Sequence, residues 1–211
     1  MIGAISLIRR RPDLDVAAFR RHWLDPHGVV TARLPRTRRY LQGHVVPSAA
    51  TSPRAVENPI DGFAVLAFDT LEDRNAAYSS PEIRVCNTDS ESFIGAVRRL
   101  VTEPVTVLEP PPGAAATKAY VLLLGEGGED EAWSAAYADR VAGLAGVTGY
   151  IRQKIISQAG PPESRIVELA MPVRGMAEVW LEDAAALARN AAALADTDRT
   201  AVYVAEDRLF I

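Results

Sequence analysis

The chain has 211 residues, a formal net charge of −4, 48% hydrophobic and 24% charged residues, and one cysteine. That apolar content supplies a core and excludes intrinsic disorder, while the acidic balance disfavours nucleic acid, whose binding runs on clustered Lys and Arg. Cys86 alone cannot form an intrachain disulfide, which fits a reducing cytoplasm.

Ile2 to Ile8 is too short to span a membrane and is followed, not preceded, by Arg9-Arg10-Arg11-Pro12. It reads as a first strand, and the protein is expected to be cytoplasmic with no membrane partner. A helix starts near Asp13, which can cap its first turn, and carries an apolar stripe of Val16, Phe19 and Trp23. Strands are expected over about Arg38 to Val46 and over Gly62 to Phe68, and Thr70 with Asp73 opens the next helix. A further amphipathic, helix-like segment carries Phe93, Val97 and Leu100, and β-branched Val101 to Leu108 closes the first half.

Glu109-Pro110-Pro111-Pro112-Gly113-Ala114-Ala115-Ala116 is a linker, because prolines remove backbone donors and resist helix. The order then repeats: strand at Tyr120 to Leu124, helix from Asp130 to about Leu144, strands at Tyr150 to Gln158 and Met176 to Leu181, helix from Asp183 to Leu194, and a last strand from Thr200 to Ala205. Aligning the halves places Trp133 on Trp23, Tyr150 on Tyr40, Lys154 on His44 and Gly175 on Gly62.

These patterns define an α+β protein of two ferredoxin-like βαββαβ units, residues 1–108 and 117–211, joined by the linker 109–116. Each unit leaves one sheet face bare. Packing sheet to sheet, with helices outside, covers both faces and makes an α/β barrel within one chain.

In the second strand Tyr40, Gln42 and His44 share one face and Leu41 and Val45 the other. The apolar set is expected to pack under the helices and the polar set to line the barrel interior, opposite Arg152 and Lys154 of the second half.

All three histidines lie in Phe19-Arg20-Arg21-His22-Trp23-Leu24-Asp25-Pro26-His27, Leu34-Pro35 and Tyr40-Leu41-Gln42-Gly43-His44-Val45. This segment resembles the EthD family, named for a component of an ethyl tert-butyl ether degradation cluster: Phe19, Trp23, His27, Pro35, Tyr40 and His44 stand at its hallmark positions. The resemblance covers the first half; the second half departs from it, with Ala132, Tyr137 and Lys154 where the first has His22, His27 and His44. It implies a dimeric α/β barrel fold, a small-molecule substrate and a homodimer as one form. Its relatives include cofactor-free isomerases, cyclases, decarboxylases and monooxygenases acting in degradation or secondary metabolism, and some that bind haem.

The residues and the resemblance together point to cofactor-independent acid–base chemistry on a small hydrophobic, aromatic or polyketide-like molecule. His27, His44 and Tyr40 are the catalytic candidates, and His22, Trp23, Gln42, Arg152 and Lys154 the substrate-binding ones. Asp25 as cap and Pro26 at the first helical position would set His27 at a helix N-terminus, where the dipole keeps an imidazole neutral. A metal is not expected, since His22 and His27 would sit about 140° apart around a helix; haem on one histidine is the lesser alternative. A carrier or sensor of such molecules is the non-catalytic reading.

Overall fold

The computed structural model describes residues 1–112, 117–159 and 165–211 of the chain. The first half contains β1 (Ile2–Arg10), α1 (Val16–His22), α2 (Gly28–Thr31), β2 (Arg39–Val45), α3 (Pro53–Glu57), β3 (Gly62–Phe68), α4 (Leu71–Ala77), α5 (Pro81–Ser90) and β4 (Ile94–Leu108). The second contains β5 (Thr117–Leu124), α6 (Glu131–Ala142), β6 (Val147–Ala159), β7 (Val167–Glu168), β8 (Val173–Leu181), α7 (Ala184–Leu194) and β9 (Thr200–Leu209). Residues 113–116 of the expected linker lie outside the described residues. Among the described residues no helix is long and apolar enough to cross a membrane.

Local chemistry accounts for most boundaries. Thr70, Asp130 and Asp183 each accept a backbone N–H three residues on, starting α4, α6 and α7. Two expectations are corrected. The cap of α1 is Asp15, whose carboxylate accepts from the Ala18 N–H at 2.6 Å, while Asp13 pairs with Arg11. The segment carrying Val97 and Leu100 is strand, not helix: β4 starts at Ile94 and pairs with β1 from Gly3↔Thr102 to Arg10↔Ile94. The helix of that region lies earlier, at α5, where the Ser80 side chain caps and Pro81 occupies the first position.

Strands from the first half run β4-β1-β3-β2 and those from the second β9-β5-β8-β6. With the two-residue β7, which pairs in parallel with β4, set aside, the order in each is fourth, first, third, second. The two sheets face one another and also join at both edges. β2 pairs with β9 from Leu41↔Leu209 to Val45↔Ala205, and β4 pairs with β6 from Arg99↔Ala159 to Leu108↔Tyr150. The result is an 8-strand closed antiparallel barrel, with the helices outside.

Strand alternation sorts the core into three layers. The interior holds Ile5, Leu7, Leu41, Phe63, Val65 and Leu100 from one half and Tyr120, Leu122, Ile155, Met176 and Tyr203 from the other. Phe63 and Tyr120 stack across it with ring centroids 4.1 Å apart. Leu169, Met171 and Ile60 complete the same cluster. Within the barrel, the Lys118 ammonium is 2.7 Å from Glu178, 2.8 Å from Asp207 and 2.8 Å from the Tyr120 hydroxyl. Gln153 donates to Glu178, and Thr102 donates to Gln153.

Outside the barrel, Phe19, Trp23, Tyr40, Phe68 and Phe93 pack between the first sheet and its helices, and Tyr137, Val141, Tyr150 and Leu187 do the same for the second. In both layers an indole packs directly on a glycine. A Cβ on Gly62 would stand 2.1 Å from the Trp23 ring, and one on Gly175 would stand 2.5 Å from the Trp133 ring.

Gly62→Ala should therefore force Trp23 off its seat and cost ~1–3 kcal/mol in urea unfolding, with Gly175→Ala destabilising in the same direction through Trp133. An alanine tolerated without loss at both glycines would contradict this packing. Lys118→Met leaves two carboxylates in the barrel without their cation and should cost ~3–5 kcal/mol by the same assay; a neutral effect would show that water already reaches the cluster.

Candidate active site

Helix α1 ends at His22, and Trp23–His27 form a wide turn in which Asp25 takes an extended conformation (φ −148°, ψ 121°) before a cis Asp25–Pro26 peptide. The chain resumes as α2, which is only 4 residues long. Asp25 is thus extended and His27 (φ −61°, ψ −41°) stands in the first turn after Pro26, as expected, but so short a helix has little dipole to offer. The turn instead drives both Trp23 and His27 inward, where they are buried.

A carboxylate orients His27. Its Nδ1 lies 2.7 Å from one oxygen of Asp89, the penultimate residue of α5, and its Nε2 lies 3.0 Å from the Thr31 hydroxyl. An ionised carboxylate can only accept, so Nδ1 carries the hydrogen and Nε2 accepts from Thr31. The other Asp89 oxygen is 3.0 Å from His22 Nε2. The His27 hydrogen bond, opposed by burial and assisted by His22, holds the Asp89 carboxyl below the usual range.

Thr31 and Tyr40 stand on the wall of one small cavity. Gln42 donates its amide hydrogens to the Tyr40 hydroxyl at 2.7 Å and to the Trp23 carbonyl at 2.7 Å, and its oxygen accepts from His44 Nε2 at 3.0 Å. Two short chains result: Gln42 donates to Tyr40, and Thr31 donates to His27, which donates to Asp89. Burial raises the Tyr40 hydroxyl well above its ordinary pKa, against the pull of Gln42 and Thr31, so it remains a donor. Burial, then Arg20 and Arg208, push His44 down to about 4.

This placement reverses an expectation. Tyr40, Gln42 and His44 do share a strand face, but that face lies under the helices; Leu41 belongs to the barrel interior, and Val45 packs against it. The reason is the supply of hydrogen-bond partners. A closed, densely packed barrel offers few to a polar strand face, whereas the outer side provides them: the Trp23 carbonyl for Gln42, and Gln42 in turn for Tyr40 and His44.

The other expected contacts are not brought to His27. Arg152 is held on the second half by Glu129 at 3.2 Å and by Glu131, and Lys154 is exposed. His22 braces Asp89 from the far side and also meets Ser92. Sequence reasoning missed Asp89 and Thr31. Thr31 stands four residues after His27, a spacing that could have flagged it, whereas Asp89 is 62 residues away and left no local signal.

His27, Thr31 and Tyr40 line a cavity of about 50 Å³ between sheet and helices, together with Tyr78, Cys86 and Arg99. Burial raises the Cys86 thiol above its usual pKa, which disfavours a nucleophilic thiolate. A groove of about 370 Å³ shares Tyr78, Asn87 and Arg99 with this cavity. A larger space of about 550 Å³ opens beside Lys118, Asp207 and Trp180, but the buried cation there is already engaged by its neighbours. Among the described residues no group of three or more His, Cys, Asp and Glu is placed to hold a metal ion.

Residues 11–96 match the EthD domain family model. The likeness to the EthD family thus lies in the first half of this chain. The matched range contains Asp89, His27, Thr31 and Tyr40, so this cluster lies within the matched portion. No curated protein matches the chain in sequence. Among solved structures, an anthrone oxidase-like protein is similar over 99% of this chain and 92% of its own, at 12% identity and a TM-score of 0.64. A protein proposed as a monooxygenase, from Fusobacterium nucleatum, covers 99% and 93% at 7% identity and 0.54. A chlorite dismutase variant from Candidatus Nitrospira defluvii covers 97% and 90% at 11% identity and 0.51. At such identities these likenesses show the barrel fold, and their differing names show that the fold does not select a chemistry.

His44 gives a pH prediction. Its ordinary value is 6.5 and its folded value about 4, so between the two the unfolded chain binds the extra proton. Stability should fall as pH drops through that window. His44→Gln should flatten this part of the curve of unfolding free energy against pH; a difference from the parent that stays constant between pH 7 and 4 would contradict the assignment.

Proposed function

We propose that the EthD half is a small-molecule enzyme in which His27 removes a proton from an activated carbon of an aromatic or polyketide-like carbonyl compound, without a bound cofactor. The observation that carries this reading is the Asp89–His27–Thr31 chain beside Tyr40 on the wall of a cavity. Asp89 fixes the imidazole and steadies the charge it acquires, while Nε2 faces the hydroxyls as a base. A substrate would take the place of Thr31 at Nε2, directly or with the hydroxyl between them. Tyr40, held protonated by burial, would then donate to the oxygen on which the enolate charge develops. The substrate decides the fate of that enolate: reprotonation, ring closure, loss of carbon dioxide or capture of oxygen. His44 is a positioning residue in this scheme, since it reaches Tyr40 only through the Gln42 amide, a poor proton conductor. The names of the structural neighbours, anthrone oxidase-like and monooxygenase, suggest anthrone-type compounds as first substrates.

One observation favours the carrier reading instead. Both nitrogens of His27 already have protein partners, as a purely structural histidine would.

Deuterium exchange separates the two. In D₂O the protein should speed exchange at the activated C–H of an anthrone or a cyclic β-keto compound, monitored by NMR. His27→Ala should keep the fold by circular dichroism and slow exchange by ~10²–10⁴-fold, and Asp89→Asn should slow it as well. Binding of these compounds with no catalysed exchange would establish the carrier.

A further inference from the structure

Arg99 and Arg74 differ from the paired arginines beside them. Arg98, one residue earlier, pairs with Glu168 at 2.9 Å, and Arg36 pairs with Asp73 at 2.9 Å. Among the described residues neither Arg99 nor Arg74 pairs with a carboxylate. Arg99 donates to Asn87 Oδ1 at 3.2 Å and Arg74 to Asn75 Oδ1 at 3.1 Å, and the Arg74 Nε is buried with no partner. Both side chains are half-buried. Burial first, and then Arg74, press the Arg99 guanidinium below its ordinary pKa, against the pull of Tyr78.

The two guanidinium groups sit on one aromatic ring. Arg74 Cζ is 4.0 Å and Arg99 Cζ 5.9 Å from the Tyr78 centroid. Both line the 370 Å³ groove, and Arg99 and Tyr78 also line the His27 cavity. A cavity of about 50 Å³ is too small for a substrate, whereas ligand sites span ~300–1,000 Å³. A molecule that reaches His27 must therefore keep most of its bulk in the groove, against Tyr78 and between the arginines.

We propose that Arg99 and Arg74 form a subsite for a carboxylate on the aromatic molecule whose reactive carbon reaches His27. This rests on the proposed function for the second contact only; the anion site stands on its own geometry. A half-buried cation without a counter-charge is costly, and an arriving carboxylate supplies one. The guanidinium fork matches two carboxylate oxygens, and Tyr78 and Ile83 give the attached ring an apolar wall.

The test uses 1-naphthoate and its uncharged analogue 1-naphthamide in NMR titrations of the full chain. Naphthoate should bind at least ~10-fold more tightly than the amide, since a charge-assisted hydrogen bond is about twice as strong as a neutral one. Arg99→Met should remove that preference and Arg99→Lys restore part of it, while His27→Ala leaves it intact. Equal binding of the two probes by the parent protein overturns the subsite without any variant having to fold. So does a preference that survives in folded Arg99→Met. Naphthoate binding lost in Arg99→Met, with no deuterium exchange on any substrate, keeps the subsite and discards the proposed chemistry.

Discussion

Two seams hold this molecule in shape, β2 against β9 and β4 against β6. A four-stranded sheet has two edges with unpaired backbone groups and one face without helices. Joining two such sheets edge to edge satisfies both needs at once. Because both sheets come from one chain, the barrel closes without a second copy. The same closure commits the interior to dense packing, with Phe63 from one half stacked on Tyr120 from the other.

Closure also decides where the polar residues go. Inside the barrel they occur as a self-satisfying set, Lys118 with Glu178, Asp207 and Tyr120. The outer layer of the first half is different. There the chain leaves helical geometry at Asp25, and the wide turn directs Trp23 and His27 toward the sheet. That irregular stretch supplies the Trp23 carbonyl for Gln42, which in turn holds Tyr40 and His44, and the cavity lies beside it.

The outer layer of the second half is built differently. Tyr137, aligned with His27, donates its hydroxyl to the Leu194 carbonyl and stacks on Trp133 at 4.7 Å. The Trp133–Gly175 contact mirrors Trp23–Gly62. The two halves thus share an aromatic–glycine contact, while the second has Tyr137 where the first has His27.

Much of this was legible in the chain. Alternation, caps at Thr70, Asp130 and Asp183, and the spacing of tryptophan and glycine in the two halves are local signals, and local signals fix elements and their order. The motif residues His27, Tyr40 and His44 were legible for the same reason. Which face of β2 meets the barrel was not, because alternation gives two sets and only the closed sheet says which is inside. Around Val97 the apolar pattern fits helix and strand alike, and pairing with β1 decided for strand. Asp89 beside His27, and Arg99 without a carboxylate among the described residues, are properties of distant segments brought together. A partner 62 residues away, or the lack of one, exists only once the chain has folded.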